Sequence, residues 1–269
     1  VDYPIIKVKL LKPYSSSMKL TFLGTGTGIP QARAQSGLIM EVEVGGKKKP
    51  LLFDCGCGIL QRIYESGYDH RDIDTIFLTH LHLDHVSDLL GLIKANWLVG
   101  LTRAHIYGPV GTAGWFYKLM ELYPYLRDRL QVKITELTGG DVVNVADCTI
   151  RTAHGHHSVT TIGYRVEHAG RIAVYTGDTE PCDSLTELAQ GAHVLVYECS
   201  FPLGFEVDNH TTPDMLTAHI SKHPLNVDRL YLTHLYPHMQ GHEQEAIDHI
   251  HTVFPKEVHI AEDLMQVDV

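Results

Sequence analysis

Apolar residues in this chain fall into two kinds of run, and their order predicts the layout. Short runs that alternate or are wholly apolar, closed by glycine or proline, read as strands; longer runs with apolar residues three and four apart read as helices. Strands are predicted at 19–23, 38–44 and 51–54, with a glycine-threonine turn after the first. Gly45, Gly46 and the lysines Lys47, Lys48 and Lys49 read as a solvated hairpin turn between the other two. A helix at 59–65, stopped by Gly67, precedes a fully apolar strand at 75–79. A helix at 86–98 follows, its apolar face built from Leu89, Leu90, Leu92 and Ile93. Next come a strand at 104–107 and an aromatic-rich helix at 112–125. Strands at 133–136, 142–145 and 149–152 and a hairpin at 163–167 and 171–175 open the second half. It then alternates: helix 185–190, strand 194–198, helix 213–222 starting at Pro213, strand 229–233, helix 243–253 and strand 258–261.

Strands first, then strand–helix alternation, then the same plan again predicts an α+β fold. Two mixed sheets pack together with helices outside, in a four-layer αββα sandwich. No linker divides the chain, so residues 18–269 read as a single domain. Residues 1–17 read as an extra edge strand or an N-terminal extension.

A formal net charge of −10 argues against an extended interface gripping a nucleic-acid backbone, which needs clustered lysine and arginine. It leaves room for a small phosphorylated substrate, because metal ions can supply local positive charge. No run of about 18 apolar residues is present, which excludes a transmembrane helix. No signal peptide is read, and five cysteines, an odd count, do not suit a disulfide framework. Cys55 and Cys57 read as buried free thiols, and a cytoplasmic setting is expected.

The strongest chemical signal is Thr79-His80-Leu81-His82-Leu83-Asp84-His85, with four potential ligands in six residues just after an apolar strand. Imidazoles and a carboxylate converging from a loop suit a borderline metal such as zinc; manganese or iron accepts the same nitrogen and oxygen donors. Gly24, Gly26 and Gly28 are followed by hairpins rather than a βαβ unit, so a dinucleotide-binding loop is rejected. They read instead as a loop passing close to the metal centre. The aromatic stretch from Trp115 to Tyr125 suits a substrate wall, a dimer contact or a plain core helix.

With FLGTGTGIP near the start and LLFDCGCG before the histidine run, the sequence resembles the metallo-β-lactamase superfamily, and within it the ribonuclease Z-like branch. That resemblance implies two divalent metal ions. His80 and His82 would hold the first, Asp84 and His85 the second, and Asp178 in YTGDT would bridge both. His234 in YLTH would complete the second site. His154, His156 and His157 compete for the last position of the first; counting six residues back from Gly163 favours His157, with His154 the alternative. His210 in NHTTPD would assist the leaving group, Glu198 in YECSF would orient His210, and Asp84 would also orient or deprotonate the attacking water.

The branch's tRNA enzymes carry an arm between the third histidine and the bridging aspartate. Here only 20 residues separate His157 from Asp178, filled by a plain hairpin, so tRNA is not an expected partner. The expected function is hydrolysis of a small phosphodiester or cyclic nucleotide. Alternatives are a lactonase or other carboxylic or sulfuric ester hydrolase, a tRNA 3′ endoribonuclease, or a noncatalytic binding protein. The resemblance also implies a homodimer.

Overall fold

The structure is a computed structural model that describes residues 18–269; the edge strand or extension expected at 1–17 lies outside the described residues. The first half runs β1 (Lys19–Gly24), β2 (Gly37–Val44), β3 (Lys47–Phe53), α1 (Ile59–Glu65), β4 (Thr75–Phe77), α2 (Leu83–Val86), α3 (Leu89–Leu98), β5 (Arg103–Pro109), α4 (Thr112–Leu122), α5 (Pro124–Arg127) and β6 (Gln131–Leu137). The second runs β7 (Val142–Val145), β8 (Cys148–His154), β9 (Ile162–His168), β10 (Arg171–Tyr175), α6 (Asp183–Ala189), β11 (Ala192–Glu198), α7 (Pro213–Lys222), β12 (Val227–Thr233), α8 (Glu243–His251), β13 (Glu257–Ile260) and β14 (Gln266–Asp268).

Two seven-stranded sheets result, in the orders β14-β1-β2-β3-β4-β5-β6 and β13-β12-β11-β10-β9-β8-β7. Each begins with antiparallel hairpins and continues with parallel strands joined through helices: β3 to β6 in the first, β10 to β13 in the second. Their facing sides share one apolar core that includes Phe22, Phe53, Phe77, Tyr164, Val166, Val196 and Tyr231. Phe53 and Phe77 stack at 4.8 Å, and Tyr164 meets both edge-on at 5.5 and 5.4 Å. The buried Tyr164 hydroxyl donates to the Leu78 carbonyl at 2.7 Å, which satisfies its one polar atom across the sheets. Outside, Ile59, Ile63, Leu92 and Phe116 cover the first sheet, and Leu216, Ile220 and Ile250 cover the second. The four predicted layers are present.

Several local expectations are corrected. The three lysines belong to β3, paired with Val44, Glu43 and Val42; the turn is Gly45-Gly46 alone, with φ of 57° and 78°. Two consecutive positive φ values make the tight turn that matches strand twist, so no lysine is needed in it. The helix expected at 86–98 is α2 and α3 with a break at Ser87-Asp88, where the Asp88 carboxylate accepts from the Leu60 amide at 3.1 Å. The aromatic helix ends at Leu122 because Pro124 opens the next turn. Its Phe116 and Met120 are core, while Tyr117, Tyr123 and Tyr125 are exposed on the helical layer. All five cysteines are unpaired, but Cys57 is exposed, not buried. No helix among the described residues is long and apolar enough to cross a membrane.

Candidate metal centre

The carboxyl ends of β3, β4, β8, β10, β11 and β12 deliver Asp54, His80, the loop of His157, Asp178, Glu198 and His234 to one edge of the sandwich. That is where open sheets with crossover helices build sites. Two donor groups form there. His80, His82, His157 and Asp178 make one, and Asp84, His85 and His234 the other. His157 Nε2 lies 3.2 Å from His82 Nδ1, and His80 Nε2 lies 3.8 Å from Asp178 Oδ2. In the other group His234 Nε2 is 3.3 Å from both His85 Nε2 and Asp84 Oδ2. Asp178 stands between them, 3.2 Å from His234 Nε2 through Oδ2 and 3.3 Å from His85 Nε2 through Oδ1. Ligands bound at about 2.0–2.1 Å around a tetrahedral ion lie about 3.3 Å from one another. The spacing therefore fits cations.

Hydrogen bonds behind the rings aim them. His85 Nδ1 donates to Asp54 at 2.8 Å and His157 Nδ1 to the Asn209 carbonyl at 2.6 Å. Ser200 donates its hydroxyl to Glu198 at 2.7 Å and so accepts from His234 Nδ1 at 3.1 Å. Thr79 likewise donates to Asp54 at 2.9 Å and accepts from His80 Nδ1 at 3.0 Å. In each case Nε2 faces the cluster, the arrangement metal-binding histidines require. His80 Nε2 and Asp178 Oδ1 are buried without a hydrogen-bond partner. Orphaned buried polar atoms each cost about 1–3 kcal/mol, and a cation between them removes that cost.

Charge follows the same plan. Burial alone would raise the Asp178 carboxyl, but the His234 and His85 rings outweigh it and hold it well below the usual carboxylate range. Burial and the adjacent His85 push His80 well below the usual imidazole range. Backbone strain gathers here too: Asp54, Asn209 and His234 hold φ of 57°, 67° and 59°.

His210 stands beside both groups, with a ring nitrogen within 4.8 Å of the Asp178 and His234 donors. Its Nδ1 donates to Glu198 Oε1 at 3.2 Å. Glu198, fully buried, also accepts from the Thr179 amide at 2.6 Å and the Thr211 amide at 3.2 Å. Burial works against a charged His210, yet the Glu198 hydrogen bond and charge outweigh it and hold the ring above its ordinary range.

Of the competing histidines the fold brings in His157. His156 is exposed, and His154 Nε2 accepts from the Gly139 amide at 3.1 Å, away from the cluster. Gly28 does pass the centre, since a Cβ there would sit 3.8 Å from Asp84 Oδ2; Gly24 and Gly26 approach residues 33–35 instead. Of the three readings of Trp115 to Tyr125, the core helix fits, with Phe116 buried and Trp115 packed against the first sheet's outer core; the aromatics beside the centre are others. Phe201 stacks between Phe205 at 4.5 Å and Tyr236 at 4.4 Å, and Tyr236 meets His210 at 5.7 Å. Asp54 and Ser200 were not singled out from sequence. A carboxylate closing an apolar strand in LLFDCGCG was the available signal for the first; Ser200 had none.

The β-lactamase superfamily domain is matched by residues 50–235. Ribonuclease Z of Mycolicibacterium gilvum (strain PYR-GCK) is 32% identical over 280 aligned residues, covering 94% of this chain and 96% of that protein. The metallo-β-lactamase fold protein YhfI from Bacillus subtilis has a TM-score of 0.81 at 25% identity, over 94% of this chain and 100% of that one. Human tRNase Z, short form, has a TM-score of 0.73 at 25% identity, over 93% and 98%. Fold, donor set and relatives agree: the chain belongs to the metallo-β-lactamase superfamily, as a ribonuclease Z-like metallo-hydrolase.

Proposed function

We propose that this chain is a binuclear metal-dependent phosphodiesterase acting on a small phosphodiester such as a cyclic nucleotide. His80, His82 and His157 would hold one ion, Asp84, His85 and His234 the other, with Asp178 between them; zinc suits these donors best. Ions bound there would lower the pKa of water toward neutral and would neutralise charge on phosphoryl oxygens. The chain's own residues do the rest. Asp84 accepts a hydrogen bond from the attacking water. Its carboxyl is lowered despite burial by the His234 hydrogen bond and the His85 charge, so it orients the water better than it stores a proton.

The observation that carries the reading is the His210–Glu198 pair. An ester oxygen leaving as alkoxide needs a proton, and a histidine whose Nδ1 is tied to a buried carboxylate presents Nε2–H to it. The pair would serve the alkoxide of a carboxylic ester or lactone as well; the ribonuclease Z relatives favour the phosphodiester. The β9–β10 hairpin turns at Ala169-Gly170 with φ of 47° and 81° and leaves no protruding arm, which favours a small substrate. A net charge of −10 also favours a small substrate over tRNA.

The test is a substrate panel for the metal-loaded protein: bis(p-nitrophenyl) phosphate, a cyclic nucleotide, an aryl ester, a lactone and a precursor tRNA. The small phosphodiesters should turn over, and His210→Ala should slow the cyclic nucleotide, which leaves as an alkoxide, about 10²–10⁴-fold while slowing bis(p-nitrophenyl) phosphate, whose nitrophenolate needs no proton, far less. Ester or lactone cleavage without phosphodiester cleavage would refute the reaction class. Efficient tRNA 3′ cleavage would refute the substrate class.

A further inference from the structure

Away from the centre, Asp183, His219 and His223 bring three more donors together at the surface. Asp183 is the first residue of α6; His219 lies in the last turn of α7 and His223 follows its end. Their four-residue spacing puts both imidazoles on one face, where they stack 4.7 Å apart and 16° from parallel. Asp183 Oδ1 lies 3.2 Å from His223 Nδ1 and 3.8 Å from His219 Nε2. The Thr186 hydroxyl, 2.9 Å from the same Nε2, holds that nitrogen when no ion is bound and would release it to one. These are the edge lengths that bonds of about 2.0–2.2 Å to one ion produce.

A simple ion pair accounts for Asp183 with one histidine. The Thr186 hydrogen bond accounts for His219; neither contact requires all three donors to lie within 4.8 Å of one another, as they do. The cleft beside them, about 280 Å³ and bordered by Glu187, Gln190 and Lys222, has room for an ion and its water. The carbonyl end of α7 favours a cation there, while Lys222 opposes it, which sets the affinity below that of the buried centre.

We propose that Asp183, His219 and His223 form a peripheral site for a zinc-like divalent cation that clamps α6 to α7. The clamp would brace the main centre from behind. In the first turn of α6, Ser184 donates to the His154 carbonyl at 2.5 Å, on the loop that carries His157. Helix α7 starts at Pro213, just after His210.

The experiment titrates zinc into holoprotein whose centre is already filled, counts bound metal at buffered free zinc, and follows thermal melting. Wild type should take up one equivalent more than Asp183→Asn or His223→Gln, both at exposed positions, and its melting temperature should rise with that uptake while theirs stays level. A protein with His80→Ala and His82→Ala should keep the extra equivalent. Equal uptake and equal melting in wild type and both clamp variants would overturn the proposal.

Discussion

Asp54 is not among the metal-site donors, yet its buried carboxylate accepts from the Thr79 amide at 2.8 Å, the Thr79 and Tyr175 hydroxyls at 2.9 Å, and His85 Nδ1 at 2.8 Å. It fixes which nitrogen of His85 faces the cluster and, through Thr79, supports His80. Asp54→Asn puts an amide donor against one of those donors, and metal affinity should fall about 10–100-fold in a chelator competition. Unchanged affinity would show that His85 is oriented by packing alone. Glu198 does the parallel task for His210. Glu198→Gln should slow phosphodiester turnover about 10–100-fold at saturating metal, while its effect on metal affinity, through Ser200 and His234, is smaller; a rate fully restored by excess metal would assign it to the ligand scaffold alone. At this scale the sequence is generous with ligands and poor with their supports. Four donors in six residues are legible because they are local. Asn209 is invisible because it contributes a carbonyl, which every residue has.

Elements were read best where punctuation was local. Helix α1 ends at Glu65, two residues before Gly67, and α7 begins at Pro213, and both bounds are legible to the residue. The lysines of β3 were misread because polar composition suggests a turn, whereas backbone geometry had already completed it at Gly45-Gly46. Strand β14, three residues with only Val267 buried, offers no periodicity to detect; its pairing with β1 makes it a strand. Turn geometry also yields a paired prediction. Gly177, at φ 63° beside Asp178, would place a Cβ 2.5 Å from Thr79 Cβ, whereas Gly170, at φ 81° in the β9–β10 turn, has open space. Gly170→Ala should cost about 1–2 kcal/mol in urea unfolding, the left-handed backbone penalty alone, and leave metal binding intact. Gly177→Ala should cost more and also reduce bound metal, because the clash displaces the bridging carboxylate. Equal effects of the two would contradict the role given to the turn.

For the whole molecule, the repeated hairpin-then-crossover plan turns strand ends from both sheets toward one edge. His80 and Asp84 from the first half meet Asp178 and His234 from the second only because the apolar faces of the two sheets pack together. Neighbours on one loop differ by the face they turn inward: the count back from Gly163 favours His157, and the fold turns its ring, rather than that of His154 or His156, to the cluster. It also couples metal to stability. Chelation leaves His80 Nε2 and Asp178 Oδ1 buried and unpaired, so melting should shift to lower temperature by calorimetry and recover on readdition. If two ions serve phosphodiester hydrolysis, titrating zinc into chelator-stripped protein should raise bis(p-nitrophenyl) phosphate turnover with bound metal to a plateau at two equivalents per chain. A plateau reached with one, or turnover that persists with none, would contradict a two-ion centre.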